Sequence, residues 1–143
     1  ALPNKRYDDY FFSINELSPI FSIENSVLIN LQATDCEEEL KLAEEHFGIE
    51  IYRPKSIDMF NELDNVAALI SQLDFVVGPF TSILSMAGAI GTRCFGLTLT
   101  KDWTALGTDD FPWNPTMTCF YKGTSNSWKP LMEKVADMIV ESE

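Results

Sequence analysis

Asp74-Phe75-Val76-Val77-Gly78-Pro79-Phe80-Thr81-Ser82, running on as Ile83-Leu84-Ser85-Met86-Ala87-Gly88-Ala89-Ile90-Gly91, is the stretch on which the fold turns. Residues 74–78 are aromatic, β-branched and brief, which reads as a compact strand. Thr81 or Ser82 then offers an N-cap, and residues 83–90 are apolar nearly all round, with small side chains at 87, 88 and 89. Such a segment suits a helix pressed closely onto a sheet, and Gly91 is a natural place for it to stop. A strand turning directly into a buried helix is half of a βαβ unit.

The same alternation extends in both directions. Upstream, residues 26–31 read as a short buried strand. Asp35 reads as an N-cap with Glu38 three residues on, and Leu40, Ala43 and Phe47 follow at helical spacing up to Gly48. Residues 49–52 form the next apolar run, ended by Pro54. Asn61 with Asp64 repeats the cap signature ahead of the stripe Leu63, Val66, Ala67, Ile70 and Leu73. Downstream, residues 93–97 read as a strand, and residues 98–115 as a long irregular loop carrying Trp103, Trp113 and two prolines. Residues 118–121 read as a last strand, and Leu131, Val135, Met138 and Ile139 mark a final amphipathic helix. The expectation is an α/β domain: a Rossmann-like, doubly wound, mainly parallel sheet of about five strands with helices on both faces. It should occupy residues 1–143 as one domain, with no internal repeat and no interdomain linker.

Composition narrows the function. With 45% apolar and 22% charged residues among 143, the chain is of ordinary globular make-up. A net charge of −12 opposes general attraction to nucleic acid or to an anionic membrane surface. No apolar run approaches the roughly 20 residues that span a bilayer, so no transmembrane segment is expected. Cys36, Cys94 and Cys119 are odd in number and widely spaced, which suggests neither a disulfide framework nor a zinc site and points to a reducing, cytoplasmic compartment. The sole histidine, His46, lies in an acidic segment read as an exposed helix, a poor setting for a Ser-His-Asp or Cys-His apparatus. The acidic runs at 37–39 and 44–45 read as a solvated helix face, not a metal site. The opening Ala1-Leu2-Pro3-Asn4 lacks an initiator Met, as expected of a processed chain or a piece of a longer one.

Ligands of such sheets bind beyond the carboxyl ends of the strands, where helix N-termini present free backbone N–H groups and a partial positive charge. The foremost candidate is the turn from Gly78 to Ser82. Gly78 allows close backbone approach, and the hydroxyls of Thr81, Ser82 and Ser85 can supplement the amides around a phosphate. The alternative is that Thr81 and Ser82 merely cap the helix and Gly78 merely ends a strand. The second candidate is Thr98-Leu99-Thr100-Lys101-Asp102-Trp103, where Lys101 could neutralise phosphate and Trp103 could stack on a base or sugar. Equally, Trp103 and Trp113 could fold the loop onto the domain, the preferred reading for Trp113. Gln32, ending the first strand, could also reach the cleft.

Residues 63–77, Thr81-Ser82, Ala87-Gly88-Ala89-Ile90-Gly91, Asp102-Trp103 and Pro112-Trp113-Asn114-Pro115 also carry a resemblance. In order and spacing, from about Ile14 to the last helix, they are similar to the C-terminal half of glycosyltransferases related to the ADP-heptose heptosyltransferases. The likeness is greatest to the versions attached to tetratricopeptide repeats in bacteria. The resemblance implies a GT-B arrangement in which this half holds a nucleoside-diphosphate sugar, without a bound metal or other cofactor. Its partners would be an N-terminal acceptor domain, which supplies the catalytic base, or the tetratricopeptide repeats. The family's turn commonly reads Asp-Thr/Ser-x-x-x-His; here Phe80 stands at the Asp position and Ser85 at the His position. An aromatic ring cannot hydrogen-bond sugar hydroxyls as a carboxylate does, so either the donor differs or transfer has been lost. Two functions follow: a donor-binding domain, inactive by itself, or a non-catalytic interaction module that keeps the fold. The resemblance also places one further strand and a phosphate loop before Ala1; without it, the flanking strands must pair directly or leave a gap for a partner.

Overall fold

The computed structural model describes residues 11–101, 103–108 and 111–142. A 3-10 turn, Ile14–Leu17, leads into the short helix α1 (Ser18–Phe21), neither of which the hydrophobic pattern announces. There follow β1 (Leu28–Ile29), α2 (Glu37–Phe47), β2 (Ile51–Tyr52), α3 (Leu63–Ile70), β3 (Val76–Pro79), α4 (Ser82–Ala89) and β4 (Cys94–Thr98). A second 3-10 turn, Trp103–Ala105, interrupts the long loop before β5 (Met117–Tyr121) and α5 (Lys129–Val140).

The strand-helix alternation is therefore present, and among the described residues every strand pairing is parallel. The pairing is divided, however. Leu28 lies opposite Ile51 in a two-stranded sheet, while Val76 lies opposite Cys94 and Cys94 opposite Met117 in a three-stranded sheet ordered β3-β4-β5. Among the described residues no backbone hydrogen bond joins β1 to β3. β1 and β3 thus belong to two separately paired sheets.

Burial follows pairing. In β4, which has a strand on each side, Cys94, Phe95, Gly96 and Leu97 are all buried, as an uninterrupted apolar run should be in a sheet covered on both faces. In β1 and β3 most residues are only half-buried. One face carries Ile20 of α1 with Met132, Val135 and Ile139 of α5, packed over Phe95 and Leu97. The other carries Val66 and Ile70 of α3 with Leu84 and Ala87 of α4, packed over Val76, Cys94 and Met117. Leu40 and Ala43 of α2 meet Ile51, and Phe47 meets Phe21 of α1 at 5.3 Å, which puts α2 on the α1 face.

The helix ends differ from expectation by a residue. Cys36, not Asp35, occupies the N-cap of α2, although Asp35 Oδ1 accepts the Glu37 N–H at 3.1 Å. Glu62, not Asn61, precedes α3. The expected stops hold: Gly48 (φ +66°) closes α2, and Gly91 (φ +88°) follows α4, left-handed conformations that favour glycine.

The free side of β2 is stoppered. The Ile51 N–H donates to Glu44 Oε1 at 2.7 Å, and Arg53 Nη1 donates to the Ile51 carbonyl at 2.6 Å. Arg53 also forks onto Glu44 through Nη1 and Nη2, at 2.5 and 2.9 Å, and donates from Nε to Glu37 at 3.2 Å. The Arg53 fork, helped by the Ile51 amide, lowers the Glu44 carboxyl from 4.5 to about 2. A carboxyl lowered on folding contributes stability above its unfolded value that disappears as pH falls through its folded value. Urea midpoints should therefore fall between pH 5 and pH 2, and Arg53→Ala should flatten that part of the profile. A slope unchanged by Arg53→Ala would assign the acid loss to other carboxylates.

Candidate functional site

β3, β4 and β5 run parallel, so Pro79, Thr98 and Tyr121 end at one edge of the sheet. There α4 begins. Thr81 is its N-cap in an extended conformation (φ −123°, ψ 175°), and its carbonyl accepts the Ser85 N–H at 3.0 Å. Its hydroxyl makes no cap hydrogen bond. Neither backbone nor side chains of the described residues engage the amides of Ser82, Ile83 and Leu84. The helix start thus keeps its donors and its partial positive charge, and Thr81 and Ser82 are exposed beside it. Thr81 is thus the N-cap by its position and backbone conformation, not by a hydroxyl hydrogen bond.

Phe80 bends back over the sheet. A Cβ built on Gly96 would lie 2.5 Å from Phe80 Cε2, so the ring sits on the bare backbone of β4. It also meets Phe111, edge-on at 5.3 Å and 69°. Phe80, Thr98, Thr100, Thr104, Phe111 and Tyr121 line a hollow of about 40 Å³. A site that swallows a small organic ligand has about 300–1,000 Å³. This one admits a water or a single hydroxyl group, so a nucleotide or sugar would lie across its mouth.

The other expected residues fall at graded distances from this hollow. Lys101 Nζ stands 6.0 Å over the Tyr121 ring, which puts a cation at the rim. Gly78 is the penultimate residue of β3, and a Cβ there would meet nothing within 4 Å, so the close approach it permits is open. Trp103 is 78% exposed, with a face available to solvent, while Trp113 pins the loop by donating Nε1–H to the Thr104 carbonyl at 2.9 Å. Ser85 is exposed on α4 and does not line the hollow. Gln32 follows β1 in the other sheet, its N–H held by Asn30 Oδ1 at 3.2 Å, and does not line it either. Asp102 lies outside the described residues. Thr98 and Thr100 belong to the second candidate stretch; the lining residues that sequence reading missed are Thr104, Phe111 and Tyr121. Tyr121 could have been found because it ends a predicted strand; Phe111 and Thr104 sit in a loop with no periodic signal.

Among the described residues the hollow is lined by hydroxyl groups and aromatic rings. Burial pushes the Cys94 thiol up to about 11, with Cys119 adding to the effect, so Cys94 is a core residue and not a reactive one. Among the described residues no cluster of His, Cys, Asp and Glu is arranged to hold a metal ion. A broader, open groove of about 480 Å³ runs past Glu50, Tyr52, Arg53 and Lys55 at the end of β2, where Arg53 is already committed to two carboxylates.

Over 118 residues the chain is 42% identical to Protein FlbA of Caulobacter vibrioides. That alignment covers 82% of this chain and 20% of that protein, so the chain spans about a fifth of its relative's length. No family model and no solved structure matches the chain. Among the described residues no helix is long and apolar enough to cross a membrane.

Proposed function

We propose that this chain is the donor-side domain of a GT-B glycosyltransferase similar to the ADP-heptose heptosyltransferases, built on a Rossmann-like, doubly wound plan. It would hold a nucleoside-diphosphate sugar with the diphosphate against the start of α4. The observation that carries this reading is the set of unengaged amides at Ser82, Ile83 and Leu84, opening at the carboxyl edge of three parallel strands. Such amides bind phosphate oxygens without a metal, and their local field acts at a range where the net charge of −12 is screened. Lys101 adds a cation at the rim, and the exposed Trp103 offers a stacking face. Phe80, at the position where a carboxylate would grip sugar hydroxyls, presents an apolar ring instead. Transfer would then depend on the rest of the full-length protein, an acceptor domain or tetratricopeptide repeats, acting in the cytoplasm.

Calorimetric titration of the full-length protein with ADP, GDP and UDP tests this reading. At least one should bind with a dissociation constant below a millimolar, and Lys101→Glu should weaken it about fivefold to tenfold at low salt, the scale of one to 1.5 kcal/mol for a phosphate contact. Absence of binding at millimolar concentration for all three would refute it.

A second reading, a non-catalytic interaction module, is favoured by one observation: Phe80 seated on Gly96 leaves only about 40 Å³ at the sheet edge. Sugar transfer by the full-length protein that is lost on Thr81→Ala would dispose of it.

A further inference from the structure

Phe80 stands between Pro79, the last residue of β3, and Thr81, the N-cap of α4, so regular structure holds the chain on either side while the ring moves by side-chain rotation. The ring has a seat. Its Cε2 and Cζ lie 2.5 and 3.1 Å from the point that a Cβ on Gly96 would occupy, which means that it rests on backbone that any other residue type would cover. Leu84 Cδ2 lies 2.9 Å from the same point, and Phe111 meets the ring edge-on at 5.3 Å. The remainder of Phe80 faces solvent, at 37% exposure. Phe95 and Leu84, at 0% and 1%, could leave their places only by opening the core; Phe80 can leave by giving up one edge-on aromatic contact and its rest on Gly96.

The space around the ring has a definite chemistry. Thr98, Thr100, Thr104, Phe111 and Tyr121 line the remaining hollow of about 40 Å³ together with Phe80 itself, and none of them carries a formal charge. When the ring rotates outward, its seat joins that hollow. The enlarged cavity has bare β4 backbone as its floor, Leu84 and Phe111 as apolar walls, and threonine and tyrosine hydroxyls around it. It fits an uncharged six-membered ring bearing hydrogen-bonding groups, the size of ring that already fills it. Phosphate has no counter-charge there and belongs outside, at the amides of Ser82, Ile83 and Leu84. Those amides begin two residues after Phe80, so a ligand anchored on them brings the rest of itself against the Phe80 ring.

We propose that Phe80 is a displaceable stopper: in the free protein its ring holds the seat on Gly96, and in the bound state it swings out and an uncharged ring of the ligand takes that seat. This inference rests on the donor reading and adds to it how the site opens. The hollow of about 40 Å³ is then the closed form of a larger site. Ligand and side chain compete for one place, so the ligand must displace the protein's own ring at the expense of affinity. With the seated form ahead by about tenfold, binding is about tenfold weaker than to a site already open.

Calorimetric titration of the full-length protein and its variants with ADP, GDP and UDP tests the proposal. Phe80→Ala should bind whichever of these the wild-type protein binds about tenfold more tightly. Adding Gly96→Ala to Phe80→Ala should cancel that gain, because the new methyl group fills the seat that the ligand's ring needs. In the protein carrying 4-fluorophenylalanine at position 80, the fluorine resonance should move towards that of the free amino acid as nucleotide is added. Weaker binding by Phe80→Ala makes the ring a ligand contact, and unchanged binding makes it a bystander. A gain that survives Gly96→Ala places the ligand elsewhere, and a fluorine resonance that stays still at saturation keeps the ring in its seat. Each of these four results overturns the proposal and leaves the donor reading standing. Binding of none of the three nucleotides by either the wild-type protein or Phe80→Ala refutes the donor reading, and the stopper falls with it.

Discussion

Trp128→Ala is expected to lower the unfolding free energy by about 3–5 kcal/mol, enough to bring a domain of ordinary stability close to unfolding. Trp128 is 1% exposed and is the largest fully buried side chain of the core beneath α1 and α5. Phe12 meets it edge-on at 6.0 Å, and Lys122 Nζ lies 5.0 Å over its ring. It stands at the N-cap of α5, where its backbone N–H donates to Glu16 Oε1 at 2.8 Å; that carboxylate also accepts the Ser127 hydroxyl at 3.2 Å. Removing the indole therefore opens a cavity beneath both helices that close this face. Among the described residues the indole N–H has no hydrogen-bond partner, so it contributes a desolvation cost in the native state. Trp128→Phe should accordingly cost well under half as much as Trp128→Ala. Urea unfolding of the two variants checks both values, and equal losses would mean that the buried N–H is satisfied in solution.

Gly96→Ala should destabilise by about 1–3 kcal/mol through overpacking. The added methyl group would lie 2.5 Å from Phe80 Cε2 and 2.9 Å from Leu84 Cδ2. Leu84 is 1% exposed and has no room to retreat, whereas Phe80, 37% exposed, can swing outward. The ring should then leave Phe111, and the mouth of the hollow should widen. Gly78→Ala, in open space 18 residues earlier, is the control and should be close to neutral. The pair is read by urea midpoint and by the near-ultraviolet circular dichroism of the Phe80–Phe111 contact. Equal effects at the two glycines would remove Phe80 from its seat on β4.

Phe80 also illustrates where sequence reading runs out. The strand before it and the helix after it are legible because an apolar run and an apolar-all-round segment ending in glycine each have one economical reading. That the ring folds onto Gly96 is not legible, since it depends on a bare backbone 16 residues away that only strand pairing brings beneath it. Likewise, the six-residue strand expected at 26–31 shortens to Leu28–Ile29 because pairing, not hydrophobicity, sets strand length, and β1 is paired on one side. The caps at Cys36 and Glu62 escape a residue-type rule because the dihedral angles of neighbouring residues decide which one stands at the boundary. Of the site, the helix start at Thr81 and the cation at Lys101 were readable from strand order. The threonines and Phe111 that narrow the hollow come from the irregular loop, where no period marks which side chains turn inward.

If the start of α4 is an anion site, backbone amide shifts of the isotope-labelled full-length protein under titration with ADP, GDP and UDP report it most directly. The amides of Ser82, Ile83 and Leu84 should move progressively at millimolar nucleotide, with Thr81 and Lys101 following. Shifts confined to the groove beside Arg53, or no shift at Ser82, Ile83 and Leu84 while another part of the protein binds the nucleotide, would contradict it.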